Sequence, residues 1–119
     1  MADHNDLGKY GEELGARFLA EREYRVLHLN WKYSYFEIDL IASKNNVLHF
    51  IEIKTRKTKT FGEPEEGADK KKFEKIMKAA VEYQHRNPQW KRVQYDCLAI
   101  SIHANEPPEF YLIEDVYFW

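Results

Sequence analysis

Two neighbouring apolar segments constrain this chain more than anything else in it. Residues 36–43 (FEIDLIAS) and 47–54 (VLHFIEIK) flank Lys44-Asn45-Asn46. Runs this rich in β-branched and aromatic residues, joined by an Asn-Asn turn, read as an antiparallel hairpin. Both segments look buried, yet the first carries Glu37 and Asp39, and the second carries Glu52 and Lys54. Ionised groups are rarely kept in buried strands without a partner or a task.

The remaining segments surround this hairpin. Residues 6–23 have Leu7, Tyr10, Leu14 and Phe18 at helical spacing, with Asp6 as N-cap. Beside that face lies a stripe of small residues, Gly8, Gly15 and Ala16 with Leu19, and Glu12 sits in it. A carboxylate among small residues is held close to another backbone. Residues 25–33 predict a strand, and 55–68, with Gly62, Pro64 and Gly67, a mobile loop. Residues 69–86 predict a second helix with Phe73, Ile76, Met77, Ala80 and Val81 inward, ended by Asn87-Pro88. Strands follow at 92–103 and 110–116. The order α-β-β-β-α-β-β predicts one α/β domain over residues 1–119, a mixed sheet of about five strands with a helix for each face.

Strand alternation sorts the charges. Glu37, Asp39 and Ile41 fall on one face, Ile38 and Leu40 on the other; Leu48, Phe50, Glu52 and Lys54 share a face. If the registers match, Asp39, Glu52 and Lys54 project together. Adjacent carboxylates are stable with a cation between them, and Mg²⁺ takes such oxygens with water. A lysine two residues on can orient that water or stabilise a phosphate under attack. Asp39, twelve intervening residues and then Glu52-Ile53-Lys54 is the PD-(D/E)xK nuclease spacing, with Ile38 in place of the proline. A cross-strand salt bridge from Lys54 to Asp39 or Glu52 fits the same spacing.

Charge is unevenly spread. The net charge is −2, but residues 54–92 hold twelve Lys/Arg against six Asp/Glu, an excess of +6 that leaves −8 elsewhere. A basic middle facing an acidic remainder suits a polyanion partner, and equally a solvated helix face with a loop. Lys57 and Lys59 lie next to the carboxylates and could clamp a phosphate backbone. Trp31, Tyr33 and Tyr35 read as sheet packing or as base-stacking groups. The five histidines have no metal-ligand spacing, Cys97 reads as a small buried hydrophobe, and Asp96 as a satisfied buried acid or a partner for Lys72. Tyr117, Phe118 and Trp119 make the C-terminus aromatic. No apolar run is long enough for a membrane span, and one cysteine suits a reducing cytoplasm.

Over residues 8–117 the chain resembles the YraN-like family of small, largely uncharacterised bacterial proteins, predicted endonuclease-like and distantly related to archaeal Holliday-junction resolvases. The resemblance rests on Gly11-Glu12, Asn30-Trp31-Lys32, Glu37-Ile38-Asp39-Leu40-Ile41, Phe50-Ile51-Glu52-Ile53-Lys54-Thr55-Arg56, Phe61-Gly62, Lys72 and Asp96. Phe36 and Gly15 depart from the usual glycine and alanine. The resemblance implies a restriction-endonuclease-like fold and a resolvase-type site of Glu12, Asp39, Glu52 and Lys54. Asp39, Glu52 and Glu12 would serve Mg²⁺ or Mn²⁺, with Glu37 as accessory. Arg56, Lys57, Lys59 and Lys72 would meet nucleic acid, DNA rather than RNA. The expected activity is metal-dependent hydrolysis of DNA, branched or damaged; the alternative is a nucleic-acid-binding or adaptor module that does not cut. Four-way junctions have two-fold symmetry, so a homodimer is implied by analogy.

Overall fold

The computed structural model describes residues 4–57 and 70–116. Its elements run α1 (His4–Glu21), β1 (Arg25–Tyr33), β2 (Phe36–Lys44), β3 (Val47–Arg56), α2 (Lys70–Arg86), β4 (Val93–Ser101) and β5 (Glu109–Ile113). The expected α-β-β-β-α-β-β order and mixed five-stranded sheet are both present. Strands lie in the order β1-β2-β3-β4-β5. Only β3 and β4 are parallel, and α2 lies between them in sequence, as a parallel crossover needs.

The hairpin closes as the sequence predicts. Lys44 pairs with Val47, and Asn45 and Asn46 take φ of 54° and 66°, the left-handed pair that a tight turn of this twist requires. β3 continues to Arg56, two residues past the expected end, so the predicted 55–68 loop starts later; residues 58–68 lie outside the described residues. Lys59, Phe61, Gly62, Tyr117, Phe118 and Trp119 also lie outside them. α1 starts at His4, which puts Asp6 in its first turn instead of at its N-cap.

The sheet buries a core on each face. On the α1 side Leu19, Leu40, Ala42, Ile51, Leu98 and Ile100 pack together. On the α2 side Ile38, Ile41, Leu48, Phe50, Ala80 and Tyr83 do so. Ile38 therefore shares a face with Ile41, not with Leu40 as simple alternation predicts. In β1 the α2-side Trp31 and the Leu29 that pairs with Leu40 are also out of step. Between them Asn30 has φ of 55°. A left-handed residue in mid-strand turns the chain over, and the disturbance sits beside Asp39.

Leu14, Phe18, Ile76 and Ala80 of the expected helix faces pack on the core, but the tightest approach is made by smaller residues beside them. α1 approaches the sheet through Gly11, Gly15 and Leu19, all buried, while Tyr10 is half exposed. A Cβ on Gly11 would overlap Thr55 Oγ1 and lie 3.0 Å from its Cβ; one on Gly15 would lie 3.0 Å from Ile53 Cδ1. Gly8, expected in this stripe, is not part of the close approach: a Cβ there meets nothing within 4 Å. α2 buries Ala79, Ala80 and Tyr83 and leaves Met77 and Val81 exposed. Gly11→Ala should therefore cost roughly 1–2 kcal/mol, because overpacking outweighs the better helix propensity. Gly8→Ala should be neutral or stabilising by up to about 1 kcal/mol. Urea unfolding of the two variants checks this, and equal stability would refute the close docking of α1.

Candidate active site

The β2–β3 ladder runs from Lys44–Val47 to Leu40–Ile51 and stops one residue short of Asp39 and Glu52. The expected pairing of these carboxylates thus falls where the two strands part. Ile53, its N–H no longer in the ladder, donates to Asp39 Oδ2 at 2.9 Å. Glu52 points to the α2 side with Phe50 and is buried. Its Oε2 lies 3.5 Å from Lys54 Nζ and forms an ion pair with Lys72 from the first turn of α2. One of the two salt bridges that the spacing allowed, Glu52–Lys54, is therefore formed. Lys72 belongs to Glu52 and not, as the alternative had it, to Asp96.

The electrostatics follow from burial and crowding. Burial pushes the Asp39 carboxyl up, the Ile53 N–H opposes this, and the charges of Glu52 and Glu12 push it further, to about 6. Lys72 acts the other way on Asp39. For Lys72 itself burial disfavours the ammonium, but the contacts with Glu52 prevail and hold its pKa above the ordinary lysine value. Cys97, paired in register with Glu52, is buried and its thiol is pushed up to about 11, which leaves it a poor nucleophile at neutral pH.

Glu12 stands apart from this pair. Its Oε1 accepts a 2.7 Å hydrogen bond from Asn30 Nδ2, so α1 is tied to the irregular residue of β1. It influences Asp39 through space, but among the described residues no three acidic, histidine or cysteine side chains converge closely enough to share a metal ion. Arg56 ends β3 and is half-buried, and Lys57 just beyond is exposed. Glu37 is exposed on β2 and lines the cavity described next.

A cavity of about 520 Å³ opens beside the carboxylates, between the start of β2 and the first turns of α2. Asp39, Glu52 and Lys72 form one side of it, and Phe36, Ile38 and Ile76 supply apolar lining. Elsewhere the sequence reading missed a pair. His49 Nδ1 and Asp96 Oδ2 are 2.7 Å apart in the interior, and Asp96 Oδ1 accepts from Gln94 Nε2 and from the Asp115 amide, both at 2.9 Å. Asp96 is thus the satisfied buried acid of the two alternatives. Trp31 packs edge-on to Tyr83 with ring centroids 5.2 Å apart, so of the two readings for Trp31 the packing one applies.

Fold and site define a class: a small α/β domain whose mixed sheet holds a lysine-compensated carboxylate pair where two adjacent strands separate. Residues 11–100 match the model of the uncharacterised protein family UPF0102, and the chain belongs to that family. The YraN-like resemblance is met at this level. A UPF0102 protein of Flavobacterium psychrophilum is 40% identical over 100 residues, covering 84% of each chain. One from Christiangramia forsetii is 37% identical over 119 residues, all of this chain and 99% of the relative. One from Bacteroides thetaiotaomicron is 42% identical over 83 residues, 70% of this chain and 69% of the relative. Among the described residues no helix is long and apolar enough to cross a membrane.

Proposed function

We propose that this protein is a metal-dependent endonuclease that hydrolyses phosphodiester bonds in DNA, in preference to RNA, with branched or damaged DNA as substrate. The observation that carries this reading is the meeting of Asp39 and Glu52 at the parting of β2 and β3, with Lys54 and Lys72 against Glu52. The donor set fits Mg²⁺ or Mn²⁺: Mg²⁺ needs only one or two carboxylates and completes its shell with water and phosphate oxygens. Burial, reinforced by the charges of Glu52 and Glu12, raises the Asp39 pKa, and a divalent cation bound there would offset both. Asp39 and Glu52 would hold the ion, and Glu12 adds negative potential from the other side of Asp39. Bound there, the ion would supply Lewis acidity at the phosphate and an acidified water. Lys54 stabilises the charge that builds on the phosphate oxygens, while Lys72, Arg56 and Lys57 meet the flanking backbone. A homodimer would supply the two sites a two-fold symmetric junction requires, and a cytoplasmic location goes with this substrate.

The test uses wild type, Asp39→Asn and Lys54→Ala with labelled single-stranded, duplex, flap and four-way-junction DNA in Mg²⁺, Mn²⁺ and Ca²⁺. Wild type should cleave in Mg²⁺ or Mn²⁺, and each variant should lose about a hundredfold or more. Cleavage unchanged in both variants ends the proposal. A second reading, a nucleic-acid-binding or adaptor module that does not cut, is favoured by one observation: two ammonium groups already compensate Glu52. It expects no cleavage and a metal-independent affinity that falls with salt, with a log–log slope of about −0.9 per phosphate contacted.

A further inference from the structure

We propose that the cavity beside Asp39 and Glu52 is a subsite for one unpaired base, so that the strand bound there is single-stranded or locally opened; this rests on reading the site as one that takes nucleic acid. The cavity, about 520 Å³, falls in the range that accommodates small molecules. Its walls have the two components a nucleotide needs. Phe36, Ile38, Ile51 and Ile76 are apolar, and Lys71 and Lys75 are cationic. Lys71, Lys75 and Lys78 recur at helical spacing along α2, all exposed, and form a stripe for a phosphate backbone. Lys78 Nζ lies 5.7 Å from the Phe36 ring centroid, so the stripe passes directly over the aromatic wall.

Tyr35 marks the mouth. It occupies the two-residue turn between β1 and β2, follows Ser34 at φ 58°, and is 96% exposed while lining the cavity. Nothing in the core depends on it. A base in a duplex has both faces stacked and its edge paired, and would reach this recess only after extrusion. An unpaired base enters without that cost and stacks on an aromatic whatever its identity. Its phosphate would then lie between the lysine stripe and the carboxylates. The subsite therefore selects strand state and not sequence.

Binding is measured by fluorescence anisotropy in EDTA, where no metal-dependent cleavage occurs, with a single strand and the duplex of the same sequence. Wild type should prefer the single strand by about tenfold or more, and Tyr35→Ala should lose about tenfold on the single strand and nothing on the duplex. Its melting temperature should match wild type, since Tyr35 is solvent-exposed. Phe36→Leu, which keeps the apolar bulk and removes the ring, should show the same selective loss. Equal affinity for both forms, no binding to either, or an equal loss on both forms in Tyr35→Ala overturns the subsite. The measurement is independent of catalysis. A protein that shows the preference without cutting keeps the subsite and loses the nuclease; one that cuts DNA in Mg²⁺ but binds single strand and duplex equally does the reverse.

Discussion

Asp39→Asn should make the metal-free protein more stable at neutral pH while removing its response to Mg²⁺. The Asp39 carboxyl has a folded-state pKa of about 6 against 3.8 for the free group. Between these values the folded protein holds a proton that the unfolded chain has released. Stability from this group is therefore present below about pH 4, declines as pH rises and is lost above about pH 6. The difference between 3.8 and about 6 corresponds to about 3 kcal/mol. Asparagine keeps an oxygen for the Ile53 N–H but accepts it more weakly, so the net gain should be about 1–2 kcal/mol, roughly 4–8 °C in melting temperature. The stability difference between variant and wild type should be near zero or slightly negative below about pH 4 and reach its full value above about pH 6. Added Mg²⁺ should stabilise wild type by mass action and leave the variant unmoved. A difference that is independent of pH, or a variant less stable than wild type at neutral pH, would show that Asp39 is an ordinary solvated carboxylate.

That expectation depends on a feature only partly legible in the sequence. The hairpin could be read from its composition and its Asn-Asn turn, and so could the proximity of Asp39 and Glu52. The end of the ladder at Leu40–Ile51 could not. It goes with the irregular β1, where Asn30 adopts a positive φ, and a strand period of two has no term for that. The helix faces were misread in part for a related reason. Large apolar residues favour Tyr10, Met77 and Val81, which are exposed, whereas Gly11, Gly15 and Ala79 are buried against the sheet; Ala80, expected inward, is buried too. Small residues permit close approach, so the tightest contact has the weakest hydrophobic signal. His49 and Asp96 are 47 residues apart and meet only because β3 and β4 are neighbours; neither segment carries a local mark of it. Glu12 was legible as a carboxylate held against something, but that partner is Asn30, a neutral side chain with no spacing signature.

Glu52→Gln should have the opposite sign to Asp39→Asn, and the pair of variants together tests the site as one electrostatic unit. The Glu52 side chain is 5% exposed and that of Lys54 13%, so neither charge is well hydrated. Breaking a buried ion pair by removing one partner costs about 3–5 kcal/mol, because the other charge is left in a poor solvent. Lys72, nearly half exposed, can turn to water, which lowers the expected loss to about 2–3 kcal/mol. The removal also changes Asp39. Glu52 is one of the charges that raise its pKa, so removing it takes away part of that penalty. In the Glu52→Gln background burial and Glu12 still raise the Asp39 pKa and Lys72 still lowers it, so the ionised form is penalised less than in wild type. Asp39→Asn should therefore stabilise less there than it does alone, a coupling of roughly 0.5–1 kcal/mol. Urea unfolding of wild type, both single variants and the double variant at neutral pH measures this directly. Additive effects would mean that the two carboxylates do not share one field, and the shared cation site would fall with them.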